Sequence, residues 1–94
     1  DIGALDQGPR VLHQVPPVYP SELRKRKLEG TVYVVLFVDR DGRVIQPMVE
    51  SSPHEAFNAP ALEAVRHWKF EPAVAHGEKV RSKVRYPIRF VANG

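Results

Sequence analysis

The residues able to do chemistry are four histidines, a pair of serines, a pair of aspartates around a glycine, and a dense set of cations. His13, His54, His67 and His76 show no i+3 or i+4 pairing with one another and no carboxylate set at matching spacing. They therefore read as surface histidines rather than metal ligands. Ser51 and Ser52 lack the strand-turn-helix setting of a nucleophile elbow. Asp39 and Asp41 precede Gly42, but a calcium loop needs a third ligand before the glycine and a distal glutamate, and both are missing. The glycines are scattered singly, so no loop is built to cradle a phosphate. With no cysteine there is neither a disulfide nor a thiolate metal site. No catalytic constellation and no cofactor site emerge, and the expectation is a binding domain rather than an enzyme.

Another informative stretch is Lys79 to Val91. Val80, Ser82, Val84, Tyr86, Ile88 and Phe90 share one parity, and Lys79, Arg81, Lys83, Arg85, Pro87 and Arg89 share the other. That is a strand with a mostly apolar face inward and a basic face outward. Pro87 has no N–H for a ladder, which predicts an edge position. A free, basic-faced edge of this kind can accept a further strand through its backbone.

The elements that must position this edge follow from the rest of the chain. Gly30 to Asp39 is the densest β-branched and aromatic run and predicts a central strand with apolar contacts on both faces. Asp41-Gly42 predicts a hairpin of the type I′ kind, returning through Val44 to Ser51, where Pro47 again marks an edge. Pro20 to Leu28 predicts a short helix with Glu22 at its start, the basic run Arg24 to Lys27 at its end, and Gly30 as its stop. Phe57, Ala61, Leu62, Val65 and Trp68 fall on one face of a second helix within Glu55 to Trp68, which predicts the main lid on the sheet with Trp68 in the core.

Assembled, these pieces predict an α+β, two-layer fold. A small three-stranded antiparallel or mixed sheet has the order second, first, third, with two helices packed on one face. The other face of the central strand, Tyr33, Val35 and Phe37, then needs cover, from the Pro16–Pro20 lead-in or from a second copy of the chain. Residues 1–15 read as a flexible linker and residues 16–94 as the domain, which is long enough for a modest core. The longest apolar run, Val32 to Val38, is too short to span a bilayer, no signal peptide is present, and a chain starting at Asp1 reads as a piece of something longer. A net charge of +3 is only a mild bias toward anionic partners.

Tyr19-Pro20, Gly30-Thr31-Val32, the Asp41-Gly42-Arg43-Val44 turn, Ser51-Ser52, Phe57, Trp68-Lys69-Phe70-Glu71-Pro72, Gly77 and a closing Pro87-Ile88-Arg89-Phe90 occur in an order that resembles the TonB C-terminal domain. The match runs over about residues 16 to 92, and the Trp-Lys-Phe-Glu-Pro run after an amphipathic helix is its most specific part. The resemblance implies a periplasmic domain of an inner-membrane-anchored protein of a Gram-negative bacterium, reached through a proline-rich spacer. It implies an ExbB–ExbD motor acting through the missing N-terminal part. It also implies capture of the TonB box of a TonB-dependent outer-membrane transporter on the last strand, here Lys83 to Val91, driving import of siderophore-bound iron, vitamin B12 or similar nutrients. Pro16, Pro17 and Val18 depart from the polar residues that relatives carry beside the Tyr-Pro pair. An alternative is a TonB-like domain that serves another periplasmic or cell-wall partner without transporter coupling. Nucleic acid is disfavoured, because Tyr86 and Phe90 lie on the opposite parity from Arg85 and Arg89, where bases would have to stack. An open edge also permits a homodimer of the isolated domain.

Overall fold

A computed structural model describes residues 5–92 of the chain. Its elements, in order, are β1 (Leu5–Gln7), β2 (Arg10–His13), α1 (Ser21–Lys25), β3 (Gly30–Val38), β4 (Val44–Ser51), a 3₁₀ turn (Glu55–Phe57), α2 (Asn58–Arg66), β5 (Lys69–Glu71), β6 (Ala73–Ala75), β7 (Glu78–Val80) and β8 (Ser82–Phe90). The main sheet has the order β4-β3-β8, with both neighbours antiparallel to β3. This is the α+β class and the strand order that the sequence predicts.

Strand β3 is central for the reason its composition suggests. Val32, Val34, Leu36 and Val38 are fully buried on one face, against Leu23 of α1, Phe57, and Ala61 and Val65 of α2. Trp68, Phe70, Ile88 and Phe90 complete the same core. Phe57 stacks on Phe90 with ring centroids 4.3 Å apart, and Tyr19 meets both rings edge-on. The Tyr19 hydroxyl donates to the Leu28 carbonyl, so the Tyr-Pro pair ties the lead-in to the end of α1.

Several local expectations are corrected. Helix α1 is only five residues long and does not run on to Leu28. Lys27 takes φ 55°, and the Lys27 and Leu28 N–H groups donate to the Arg24 and Leu23 carbonyls at 3.0 and 2.9 Å. This closes the helix as a Schellman motif with a lysine where glycine is usual. Gly30 instead opens β3 under Pro53, where an added Cβ would lie 2.4 Å from the proline Cγ. The β3–β4 turn is not type I′, since only Gly42 has positive φ. The Gly42 N–H closes a turn on the Asp39 carbonyl at 3.0 Å, and Asp39 Oδ1 accepts from the Asp41 and Arg43 N–H groups at 2.8 and 2.9 Å. This is a three-residue hairpin loop with a left-handed glycine. Those N–H groups, Arg43 first, hold the Asp39 carboxyl below the usual carboxylate range.

A larger correction concerns residues 1–15, expected to be a flexible linker. β1 pairs with β6, and β2 pairs with β5, so the segment from Leu5 onward is tied into the domain; residues 1–4 lie outside the described part. Two further small sheets therefore exist, β1-β6-β7 and β2-β5. Strands of three or four residues leave no periodicity to detect, and their partners lie 56 to 70 residues away in the chain. The Lys79–Val91 strand is likewise broken at Arg81. Glu78–Val80 belongs to a hairpin with β6, turned by His76 and Gly77 at φ 53° and 77°, a pair of positive values suited to a two-residue hairpin loop.

The cover over the second sheet face also differs from expectation. The lead-in does not cross it. Arg85 lies over the Tyr33 ring at 4.0 Å and Arg81 over the Phe37 ring at 4.5 Å, so a cation on β8 and one just before it roof the aromatic row. Arg85 also pairs with Glu50, and Arg81 donates to Gln46 Oε1 at 3.3 Å.

Candidate functional site: an open strand edge beside an apolar groove

The main sheet has two outer strands, and they are not equivalent. β4 takes a shifted register against β3, with Gln46 at φ 51° just before Pro47, so its outer edge is bent. β8 pairs with β3 without a slip from Gly30↔Phe90 to Val38↔Ser82. A regular free edge is the better template for another strand.

Pro87 sets the direction of that edge. It stands opposite Tyr33 in an unbroken ladder, which requires its missing N–H to lie on the outer side. By alternation the backbone groups of Lys83, Arg85 and Arg89 also point outward, with the Pro87 carbonyl, whereas Val84, Tyr86, Ile88 and Phe90 use theirs on β3. The free edge thus offers N–H donors from Lys83, Arg85 and Arg89 and carbonyl acceptors from those three and Pro87.

The candidate residues divide accordingly. The side chains of Lys83, Arg85 and Arg89 are exposed on the second face of the sheet. Val84 and Tyr86 pack against the core as half-buried residues, and Ile88 and Phe90 are inside it. Phe90 therefore supports the edge and has no side-chain surface for a partner. Val91 lies beyond the end of β8 and is 53% exposed, so it is not part of the ladder as expected.

Along the edge runs a groove of about 370 Å3, lined by Gln14 to Pro17 and Trp68 on one side and by Tyr86 to Arg89 on the other. The lead-in is held in place by two bonds. The Trp68 indole N–H donates to the Val15 carbonyl at 2.9 Å, and Gln14 Nε2 donates to the Tyr86 hydroxyl at 3.1 Å. Trp68 also meets Tyr86 edge-on at 4.9 Å. Strand β2 anchors this wall from the other end through its ladder with β5, which follows directly on Trp68. There Glu71 accepts from Arg10 and, at 2.8 Å, from Gln7; the Arg10 hydrogen bond is the chief reason its carboxyl titrates below the usual range.

The sequence reading missed the groove wall of Gln14, Val15, Pro16, Pro17 and Trp68. A signal existed: a buried tryptophan needs an acceptor for its N–H, and the stiff proline segment is the nearest backbone without a ladder. Among the described residues no group of three or more His, Asp or Glu side chains is arranged to hold a metal ion.

What the geometry defines is a small α+β domain with one open, regular antiparallel edge flanked by a shallow apolar trough. Comparison with known proteins narrows this class. The family described as the Gram-negative bacterial TonB protein C-terminal matches residues 15–92. The chain is 41% identical over 91 residues to Protein TonB of Vibrio cholerae, covering 96% of this chain and 37% of that protein. It is 32% identical over 94 residues to Protein TonB of Escherichia coli, covering 99% and 37%. The solution NMR structure of the Pseudomonas aeruginosa TonB C-terminal domain superposes with a TM-score of 0.71 at 34% identity, covering 90% of this chain and 87% of that one. The chain belongs to the TonB C-terminal domain family. It spans a little over a third of the length of these full-length relatives.

Proposed function

We propose that this domain is the partner-gripping end of a TonB energy transducer. Its free β8 edge captures the extended TonB box of an outer-membrane transporter by adding it as a further strand. The remaining length of such a protein would carry the inner-membrane anchor and spacer, and an ExbB–ExbD motor would deliver the proton-motive force that the domain passes on to import a siderophore or vitamin-type nutrient. The domain would sit in the periplasm; no helix among the described residues is long and apolar enough to cross a membrane. Its task is then binding and mechanical coupling, not catalysis.

The observation that carries this reading is the unbroken nine-residue register of β8, with outward backbone groups beside an apolar groove. Main-chain bonds give such an edge affinity without demanding particular side chains. At about 1 kcal/mol net per bond, a handful of bonds offset the ordering of an extended peptide and leave modest affinity. Modest affinity suits a grip that must let go in every cycle.

Amide-resolved NMR of the domain, titrated with an extended peptide from a transporter N-terminus, tests the proposal. Shift changes concentrated on the amides of Ser82–Phe90 and on those of Gln14 and Val15 are expected. A silent β8 with several such peptides, while another surface responds, would overturn strand capture and favour a different envelope partner.

A further inference from the structure

Beyond the presence of an open edge, the surroundings of β8 specify which extended segment it takes; this rests on the strand-capture reading above. An added strand continues the pleat, so its residues alternate between the core-side face and the second face of the sheet. On the core side they meet the groove, walled by Val15, Pro16, Trp68, Tyr86 and Ile88. Apolar side chains are therefore favoured at every second position.

On the second face the neighbours are Lys83, Arg85 and Arg89, and these three are not alike. Arg85 is already compensated, pairing with Glu50 and lying 4.0 Å over the Tyr33 ring. An acid placed opposite it would compete with Glu50 for the same guanidinium. Lys83 and Arg89 are exposed, and neither has an ion-pair partner among the described residues. They stand six positions apart on one face, roughly 20 Å at strand rise.

We infer that the domain selects an extended peptide with apolar residues on one parity and two acidic residues six positions apart on the other, facing Lys83 and Arg89, with an uncharged residue facing Arg85. The backbone bonds supply the grip, and the two terminal charge pairs choose the register. A strand slipped by two residues would keep the backbone pairing and the apolar parity but would lose both charge contacts.

The test uses the 94-residue chain and four nine-residue peptides with valine at alternate positions. With valine at five positions, the four of the other parity, facing Lys83, Arg85, Pro87 and Arg89, carry only serine, an acid at both outer positions, a single central acid facing Arg85, or lysine at both outer positions. Affinity is measured by calorimetry and register by NMR. The outer-acid peptide is expected to bind roughly 2- to 25-fold more tightly than the serine peptide, from two exposed charge pairs, and to lose that gain in high salt. The central acid should change affinity by less than about twofold. With the Lys83→Glu, Arg89→Glu double variant the preference should invert toward the outer-lysine peptide. Equal gains from central and outer acids, or none, with β8 still shifting for every peptide, would overturn the charge selection and leave strand capture standing. If no peptide shifts β8, both fail together.

Discussion

Removing or adding a single outward N–H on β8 provides the sharpest check on the direction of its edge. If Pro87 faces outward, then Lys83 does too, and its N–H is one of the donors open to a partner, uncommitted to the ladder with β3. Lys83→Pro should therefore delete a partner bond and leave the sheet intact. Lys83→Ala is the reference, because it removes the same charge. One backbone hydrogen bond is worth about 0.5–1.5 kcal/mol net, so peptide affinity should fall a further 2- to 13-fold from the alanine to the proline variant. The melting temperature should differ little between the two. Val84→Pro, one residue on, removes a ladder bond to β3 and leaves its acceptor unpaired, which should cost about 1–3 kcal/mol in stability. The converse change, Pro87→Ala, adds a donor to the edge. It should tighten peptide binding by about fivefold and promote self-association, while giving up under about 1 kcal/mol of stability through a freer unfolded chain. Calorimetric titration and thermal unfolding of the four variants decide the matter. Equal destabilisation by Lys83→Pro and Val84→Pro, or unchanged affinity in Lys83→Pro relative to Lys83→Ala, would refute the assignment of outward groups.

Two further outcomes are expected. Gly42→Ala should destabilise the domain by about 2–4 kcal/mol, because a Cβ there would stand 2.0 Å from the Phe70 carbonyl oxygen at φ 83° and would break the 2.9 Å bond from the Phe70 N–H to the Gly42 carbonyl. Urea denaturation measures it, and a loss under about 1 kcal/mol would show that the hairpin is not docked on β5. Acidification is the second. Asp39, Glu71 and Glu63 all titrate below the usual carboxylate value, through N–H donors led by Arg43, through Arg10, and through His67. Their stabilisation is present in full above the unfolded-state value and is lost as pH falls through the lower folded values. Stability should therefore decline as pH falls from the ordinary carboxylate range toward the lower folded values, and Glu71→Gln should flatten that decline in an acid titration followed by circular dichroism.

Much of this domain follows from local rules that act within a few residues. The β-branched run of Gly30–Val38 makes a strand wherever it is placed, and the alternation from Ser82 to Phe90 assigns each side chain to a face before any partner is known. Pro47 and Pro87 push their strands to the outside because a missing donor cannot serve an inner ladder. From these came the sheet order and the lid of α2, whereas the binding role expected of the last strand came from the family resemblance.

What only the tertiary structure decided are the relations between segments far apart in sequence. Nothing in Leu5-Asp6-Gln7 marks a strand, and Val11-Leu12-His13 suggests no more than an extended segment; both become strands because β6 and β5 present free ladders 56 to 70 residues further on. The type of the Asp39–Arg43 loop was misread because Asp-Gly serves both hairpin geometries, and it is the Phe70 backbone docked on Gly42 that goes with the three-residue loop. The groove wall beside β8 exists because Trp68, buried for its size, must place its N–H on an acceptor and finds it in Val15, 53 residues earlier. Periodicity is a property of neighbours along the chain, and so it reveals which edge is open; the surfaces beside that edge arise only when distant segments meet.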